Sequence, residues 1–254
     1  MDISTSKSDH IFTIEFNRPE KKNAITAAMY QAMADGLKEA DADSEVRAIL
    51  ICGKPEIFTA GNDLEDFMKN APKGSESPVY QFMHALSHAV KPVVAAVSGA
   101  AVGIGTTMLL HCDLVYAADN AKFSMPFTQL GLCPEFSSSI LLPQLAGYQR
   151  AAEKLMLGEP FLAEEARDMG LVNKVLPLAD LLPYAQAQAA KLAALPASSM
   201  RATKRLMKDN QTATIDAKMA EEAKYFGAML SAPEAREAFA AFFQKRKPDF
   251  KQFS

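Results

Sequence analysis

Glu135 stands in the stretch Gly131-Leu132-Cys133-Pro134-Glu135-Phe136-Ser137-Ser138, an acid set among apolar neighbours. Poor solvent penalises the ionised form of a carboxylate. That lifts its pKa toward the range in which a general base works. Ser137 is placed to cap a helix running to about Ala146. A surface-loop glutamate resting on a helix N-terminus would give the same local pattern.

Two further stretches supply backbone rather than side-chain chemistry. Ile57-Phe58-Thr59-Ala60-Gly61-Asn62-Asp63-Leu64 follows the apolar run Ala48–Cys52, which reads as a buried strand. Ala60-Gly61 lets the chain turn closely, and Asp63 reads as the start residue of a helix over Leu64 to Lys69. Strand, tight turn and helix start leave N–H groups free to meet an anion. An ordinary capped turn uses the same residues. In Lys91 to Thr107 a strand, Val93 to Val97, enters a turn carrying Gly99, Gly103 and Gly105, then a helical stretch from Thr106 to His111. The glycine spacing is neither the dinucleotide fingerprint nor a Walker loop. Two such N–H donors converging on one oxygen make an oxyanion hole.

The other reactive residue types have structural readings. His10, His84, His88 and His111 lack ligand spacing. His84 and His88 share a helix face without a third ligand, so no metal site is expected. Asp113 reads as a loop anchor, and Ser137 to Ser139 lacks the Gly-x-Ser-x-Gly setting of a nucleophile elbow. Met29, Met33 and Leu37 form a core stripe.

The positioning elements alternate. Ile11 to Phe16 has a strand pattern, Thr26 to Asp43 an amphipathic helical one, then follow strand Ala48 to Cys52, helix Val79 to Ala89, strand Val93 to Val97 and strand Leu114 to Ala117. This alternation predicts an α/β class with parallel pairing. Ala71 to Pro78 is Pro/Gly/Ser-rich and is expected to be a mobile loop. Helices dominate from Leu178 to Gln244, with a boundary near Pro196. Arg201, Lys204, Arg205 and Lys208 recur at helical spacing and are expected on a solvated face, the alternative being contact with an acidic neighbour or a CoA phosphate.

The chain of 254 residues can bury a sizeable core. Net charge −3 gives no pull toward nucleic acid or an anionic membrane surface. Cys52, Cys112 and Cys133 sit in apolar settings without a CxxC pair and read as reduced thiols. The polar start, Met1 to His10, has no apolar signal core, no run is long enough for a membrane helix, and the end is not Ser-Lys-Leu. A cytoplasmic location is expected.

Taken in order, five motifs resemble the crotonase, or enoyl-CoA hydratase/isomerase, superfamily. They are Phe16-Asn17-Arg18-Pro19 with Asn23-Ala24, Phe58 to Leu64, Lys91-Pro92 through Gly105 closing with Cys112-Asp113, Ala163-Glu164-Glu165-Ala166 with Gly170 to Val175, and the tail Glu237 to Phe250. The resemblance covers nearly the whole chain. It implies a ββα spiral core over residues 1–195, for CoA and acyl binding, and a helical trimerisation region over 196–254. It implies backbone N–H donors at Ala60 and Ile104 and a CoA site lined by Gly61, Asn62, Asp63 and Leu64. Lys21 or Lys22 would lie near the CoA phosphates, and Lys247 and Phe250 where the family tail approaches CoA.

The departures narrow the activity. Where family hydratases carry two glutamates, this chain has Thr107 and Phe127. Glu135 stands where the Δ3-Δ2-enoyl-CoA isomerase branch places its acid, and Phe136, in place of a smaller, Gly-rich sequence, joins the substrate-binding set. The resemblance therefore implies an isomerase that moves a β,γ double bond of an acyl-CoA to the α,β position. It implies no cofactor beyond the CoA of the substrate, no nucleic-acid or membrane partner, and a homotrimer or dimer of trimers. The alternatives are another crotonase-type enzyme, hydratase or thioester hydrolase, and a silent CoA- or RNA-binding member.

Overall fold

In the computed structural model, which describes residues 1–54, 56–70, 72 and 74–253, the strand-forming runs pair into two sheets. The elements in chain order are β1 (Ile3–Ser8), β2 (Ile11–Phe16), α1 (Ala27–Ala42), β3 (Ala48–Cys52), α2 (Leu64–Lys69), α3 (Pro78–Ser87), β4 (Val93–Val97), β5 (Ala100–Val102), α4 (Ile104–Thr107), β6 (Leu114–Ala118), β7 (Lys122–Ser124), α5 (Ser138–Ala146), α6 (Tyr148–Ala152), β8 (Phe161–Leu162), α7 (Ala163–Asp168), β9 (Lys174–Leu176), α8 (Leu178–Ala194), α9 (Ala197–Leu230) and α10 (Pro233–Phe243). The larger sheet has the order β1-β2-β3-β4-β6-β9 and the smaller β5-β7-β8. Within the larger sheet only β1–β2 is antiparallel.

β3 and β4 are buried at every residue because helices cover both faces of the sheet. Alternate side chains go to opposite sides. Ile49, Ile51, Val93, Ala95 and Val97 join the main core with α1 and α3. Ala48, Leu50, Cys52, Val94 and Ala96 pack against Leu181, Ala185 and Ala189 of α8. The Met29, Met33 and Leu37 stripe is buried in the main core.

The expected start signal acts at α2, and a second side chain caps α1. Thr26 Oγ1 accepts from Met29 N–H, and the Asp63 carboxylate accepts from Asp66 N–H at 3.1 Å. Ser137 does not cap α5 with its side chain. Its φ is +56° and its hydroxyl donates to Ile215 O at 2.9 Å. The helix after the second loop begins at Ile104, and continues as a 3-10 turn over Met108–His111.

The basic run on α9 is not a solvated face throughout. Arg201 and Arg205 are exposed, but Lys204 is buried. Its Nζ donates to Lys91 O at 2.6 Å and pairs with Asp113 Oδ2 at 2.7 Å, while Lys208 Nζ reaches His111 O at 3.1 Å. Asp113 also accepts from Val93 N–H, so it anchors both a strand and a helix. These bonds lay α9 across the core. Phe226 then meets Phe67 edge-on at 6.2 Å, whereas Met229, Phe242 and Phe243 stay exposed. The loop expected over Ala71 to Pro78 includes Ala71 and Lys73, which lie outside the described residues; Pro78 opens α3.

Candidate active site

Two loops meet beside the mouth of the sheet. Thr59 N–H donates to Ala100 O at 2.9 Å, and Val102 N–H donates to Thr59 O at 3.1 Å. The approach is close enough that a Cβ on Gly61 would stand 2.7 Å from Val102 O, and one on Gly105 2.5 Å from Thr59 Cγ2. Glycine at both positions is therefore a packing requirement. The N-terminal loop braces the first of them. Asn23 Nδ2 donates to Ile57 O and Phe58 O, and Arg18 Nη1 binds Asp63 Oδ2 at 2.8 Å. Partial burial opposes ionisation of Asp63, but the Arg18 guanidinium prevails and its pKa lies below the usual carboxylate range.

The bracing takes up one expected donor. Ala60 N–H is spent on Lys22 O at 3.0 Å, and Gly61 N–H on Thr59 Oγ1 at 3.1 Å. Among the described residues, Asn62 N–H and Ile104 N–H have no hydrogen-bond partner. The first-loop N–H left free is therefore that of Asn62, one peptide past the positive-φ Gly61 at +84°, while that of the expected Ala60 is taken. Ile104 keeps its place as the first residue of α4, where N–H groups are unpaired by helix geometry. The Asn62 side chain is held too: Tyr30 O–H donates to its Oδ1 at 2.5 Å. Burial, and then the nearby Glu135, keep the Tyr30 phenol protonated.

Asn62 and Ile104 line two adjoining cavities. One is narrow and largely apolar, about 250 Å3, walled by Tyr80, Met83, Phe136, Met219 and Phe226, with Glu135 in its lining. The other is a groove of about 930 Å3 that takes in Lys21, Lys22, Ala60, Gly61, Asp63 and Leu64, and the tail residues Arg246, Lys247 and Phe250. The structure thus gathers the expected site residues around one channel. Glu135 and Phe136 lie in the narrow arm and the cations at the broad one. Phe127, in the place of a hydratase glutamate, is buried on the groove side.

Thr107 Oγ1 donates to Glu135 Oε1 at 2.5 Å. Burial pushes Glu135 up to about 8 and the Glu222 charge adds to the rise, while the Thr107 hydroxyl works against it. Behind it, His111 is stacked on Phe136 with ring centroids 3.9 Å apart, and its Nε2 lies 2.8 Å from Phe136 O. A carbonyl only accepts, so that nitrogen carries the proton. Burial pushes His111 down to about 3, which leaves it neutral. Burial likewise pushes the Cys52 and Cys112 thiols up to about 12 and Cys133 up to about 11, the profile of unreactive thiols.

Sequence reasoning missed three features of the site: the free Asn62 N–H, the Thr107 hydroxyl on Glu135, and Glu222. The position of Gly61 was a signal for the first, since a left-handed residue redirects the peptide after it. Thr107 was read only as the absence of an acid. Nothing local marks Glu222, which lies 85 residues from the Ser137 N–H it accepts from.

Residues 6–253 match the model of the enoyl-CoA hydratase/isomerase family. Enoyl-CoA delta isomerase 2 of Rattus norvegicus is 37% identical over 252 residues, 97% of this chain, and the chain spans 64% of that relative's length. The 2,3-dehydroadipyl-CoA hydratase of Escherichia coli K12 is 30% identical over 98% of both chains. The solved structure of Pseudomonas aeruginosa OdaA superposes with a TM-score of 0.93 at 46% identity, covering 95% of this chain and 98% of that one. In sequence and in fold, this chain belongs to the enoyl-CoA hydratase/isomerase family of the crotonase superfamily, whose members act on acyl-CoA substrates.

Proposed function

We propose that the protein is a Δ3-Δ2-enoyl-CoA isomerase, converting a 3-enoyl-CoA into the trans-2-enoyl-CoA. One observation carries the reading: among the described residues, a single carboxylate free to act on a ligand lies in the cavity whose mouth holds two unpaired N–H donors. The other carboxylate of that cavity, Glu222, has its oxygens taken up by Ser137 and Ser139. Glu135 removes a proton from the α carbon. The electron pair moves into a dienolate with its charge on the thioester oxygen, held by Asn62 and Ile104 N–H. The protonated Glu135 then returns a proton to the γ carbon, and the double bond is left between α and β. A group that titrates at about 8 is suited to both halves, since neither protonation state is remote at neutral pH.

Hydration would need a further acid to hold water, and Thr107 and Phe127 stand where family hydratases carry one. We read the broad groove as the CoA site, with Lys21, Lys22 and Lys247 toward the phosphates and Phe250 beside them. No cofactor beyond the substrate's CoA is required. Exposed Met229, Phe242 and Phe243 support residues 196–254 as an assembly region of a trimer or dimer of trimers. Among the described residues no helix is long and apolar enough to cross a membrane; we place the protein in the cytoplasm.

The test follows 3-hexenoyl-CoA conjugation and water addition to 2-hexenoyl-CoA separately. Glu135→Gln keeps size and removes the proton acceptor, so isomerisation falls at least about 100-fold with little change in acyl-CoA affinity. Retention of more than about half the wild-type turnover, or hydration as fast as isomerisation, refutes the reading.

A further inference from the structure

The turn that aims Glu135 is strained. Phe136 and Ser137, neither of them glycine, take successive φ values of +58° and +56°. Such residues persist only where the surroundings over-determine them. Here the surroundings are mostly one helix. Glu222 of α9 accepts Ser137 N–H at 2.6 Å on one oxygen, and Ser139 N–H at 3.1 Å and Ser139 O–H at 2.5 Å on the other. Two turns earlier on the same helix, Ile215 O accepts the Ser137 hydroxyl at 2.9 Å. His111 holds Phe136 from the other side.

This carboxylate is only 6% exposed and does the work that a local cap would do for α5. Removing it would free the N–H groups of Ser137 and Ser139 and leave the left-handed pair without its largest restraint. Glu135 is the residue immediately before that pair. Its own carbonyl accepts from Ser138 N–H and Ser138 O–H, so the turn and the acid share one set of bonds. The same helix contributes Met219, Ala223 and Phe226 to the wall of the narrow cavity.

We propose that Glu222 is a positioning residue for Glu135: from α9 its carboxylate clamps the left-handed Phe136–Ser137 turn and so sets the direction in which Glu135 enters the acyl cavity. Seating of α9 and catalytic competence are then one event. The inference rests on Glu135 being the acid/base. It is independent of which carbon finally receives the proton.

The charge of Glu222 also bears on Glu135, raising its pKa. The other groups near Glu135 are neutral: Tyr30 and Cys133 are both held protonated, chiefly by burial. Lys218, one turn before Glu222, is the cation that acts on Glu222.

The experiment compares wild type, Glu222→Ala, Glu222→Gln and Ser139→Ala. In Glu222→Ala a displacement of about 1 Å at Glu135 lowers kcat roughly 100-fold, with KM moved by less than about threefold. Glu222→Gln, which keeps one acceptor, falls between that variant and wild type. In both, the acid limb of the kcat/KM profile moves to lower pH, because a neighbouring negative charge is gone. A role confined to stability would leave kcat of the folded fraction and that limb unmoved. Should Glu222→Ala fail to fold, Glu222→Gln and Ser139→Ala decide: wild-type kcat and an unshifted limb in both overturn the proposal. A crystal structure of a folded Glu222 variant separates this inference from the isomerase reading. If Phe136 and Ser137 keep their positive φ and Glu135 keeps its bond to Thr107, the clamp is refuted whatever the reaction; if the turn relaxes and Glu135 swings away, it stands even for a different double-bond or proton-transfer chemistry.

Discussion

Replacing the proposed catalytic acid should stabilise the protein, and the size of the effect can be worked from the site. The folded pKa of Glu135 is about 8 against an ordinary 4.5, so about 3.5 units separate folded from unfolded. The folded state therefore holds a proton that the unfolded chain loses above about pH 4.5. Stability from this group is fully present below that pH, declines as pH rises, and is lost once pH passes about 8. At about 1.36 kcal/mol per unit, the full cost is about 5 kcal/mol. Near pH 6 only about 1.5 units have accrued, or about 2 kcal/mol. Glutamine is neutral at every pH, accepts the Thr107 hydroxyl and escapes this cost. Glu135→Gln should therefore melt above wild type, and the gap should widen by nearly 3 kcal/mol between pH 6 and pH 9. For a chain of this size that corresponds to a gap in Tm growing by several degrees. The assay is thermal melting of both proteins at equal subunit concentration across that range, since assembly makes Tm concentration-dependent. A gap that stays constant with pH, or wild type melting higher at pH 9, would mean that the Glu135 carboxylate is solvated and that its pKa is ordinary.

Four other outcomes follow from the same geometry. Gly105→Ala puts a methyl 2.5 Å from Thr59 Cγ2, about 1 Å inside ordinary contact, so the loops part and kcat falls about 100-fold in a protein that still binds CoA; near-normal kcat would show that the loop spacing is not critical. Thr107→Val removes the hydroxyl that opposes the rise in the Glu135 pKa, so the acid limb of kcat/KM moves to higher pH and turnover at neutral pH drops about tenfold; a limb that moves down contradicts this. Lys204→Met strands Asp113 beside β4 and should cost about 3–5 kcal/mol, seen as a Tm lower by about 10 °C, whereas a solvated lysine would cost almost nothing. A chain ending at Ser231 should run as a smaller species in light scattering and bind CoA more weakly, because it lacks the exposed Phe242 and Phe243 and the groove residues Lys247 and Phe250; an intact trimer after truncation would remove this segment from assembly.

Much of the scaffold was legible because its signals are local. β2, β3 and β4 fall on the predicted runs, and α2 begins after the predicted cap Asp63, since a side chain bonding an N–H two or three residues on needs no knowledge of the rest of the chain. Glu135 was legible in the same way: its apolar neighbours are adjacent in sequence and already imply poor solvent. Ser137 shows the limit. Its type and position suit a cap, yet the turn is left-handed and the cap comes from Glu222 on another helix. A charged helix face such as Arg201 to Lys208 reads chiefly as solvated until the half-buried Asp113 meets one of its members.

What the chain determined by itself, then, is the runs of β2, β3, β4 and β6, the glycines that let two loops touch, the candidate acid and the family; β1 and the whole smaller sheet, β5-β7-β8, left no such signal. Tertiary structure decided which N–H groups remain free, which charges are buried, and what holds the acid in place. Ala60 and Asn62 flank the same glycine, and its position only hints at Asn62. The choice is settled because Lys22 O, brought back by the N-terminal loop, accepts the Ala60 N–H. Hydrogen-bond partners tens of residues apart leave no period or motif behind, and a backbone donor carries no side-chain signature, so its availability exists only once the fold has assigned every other donor.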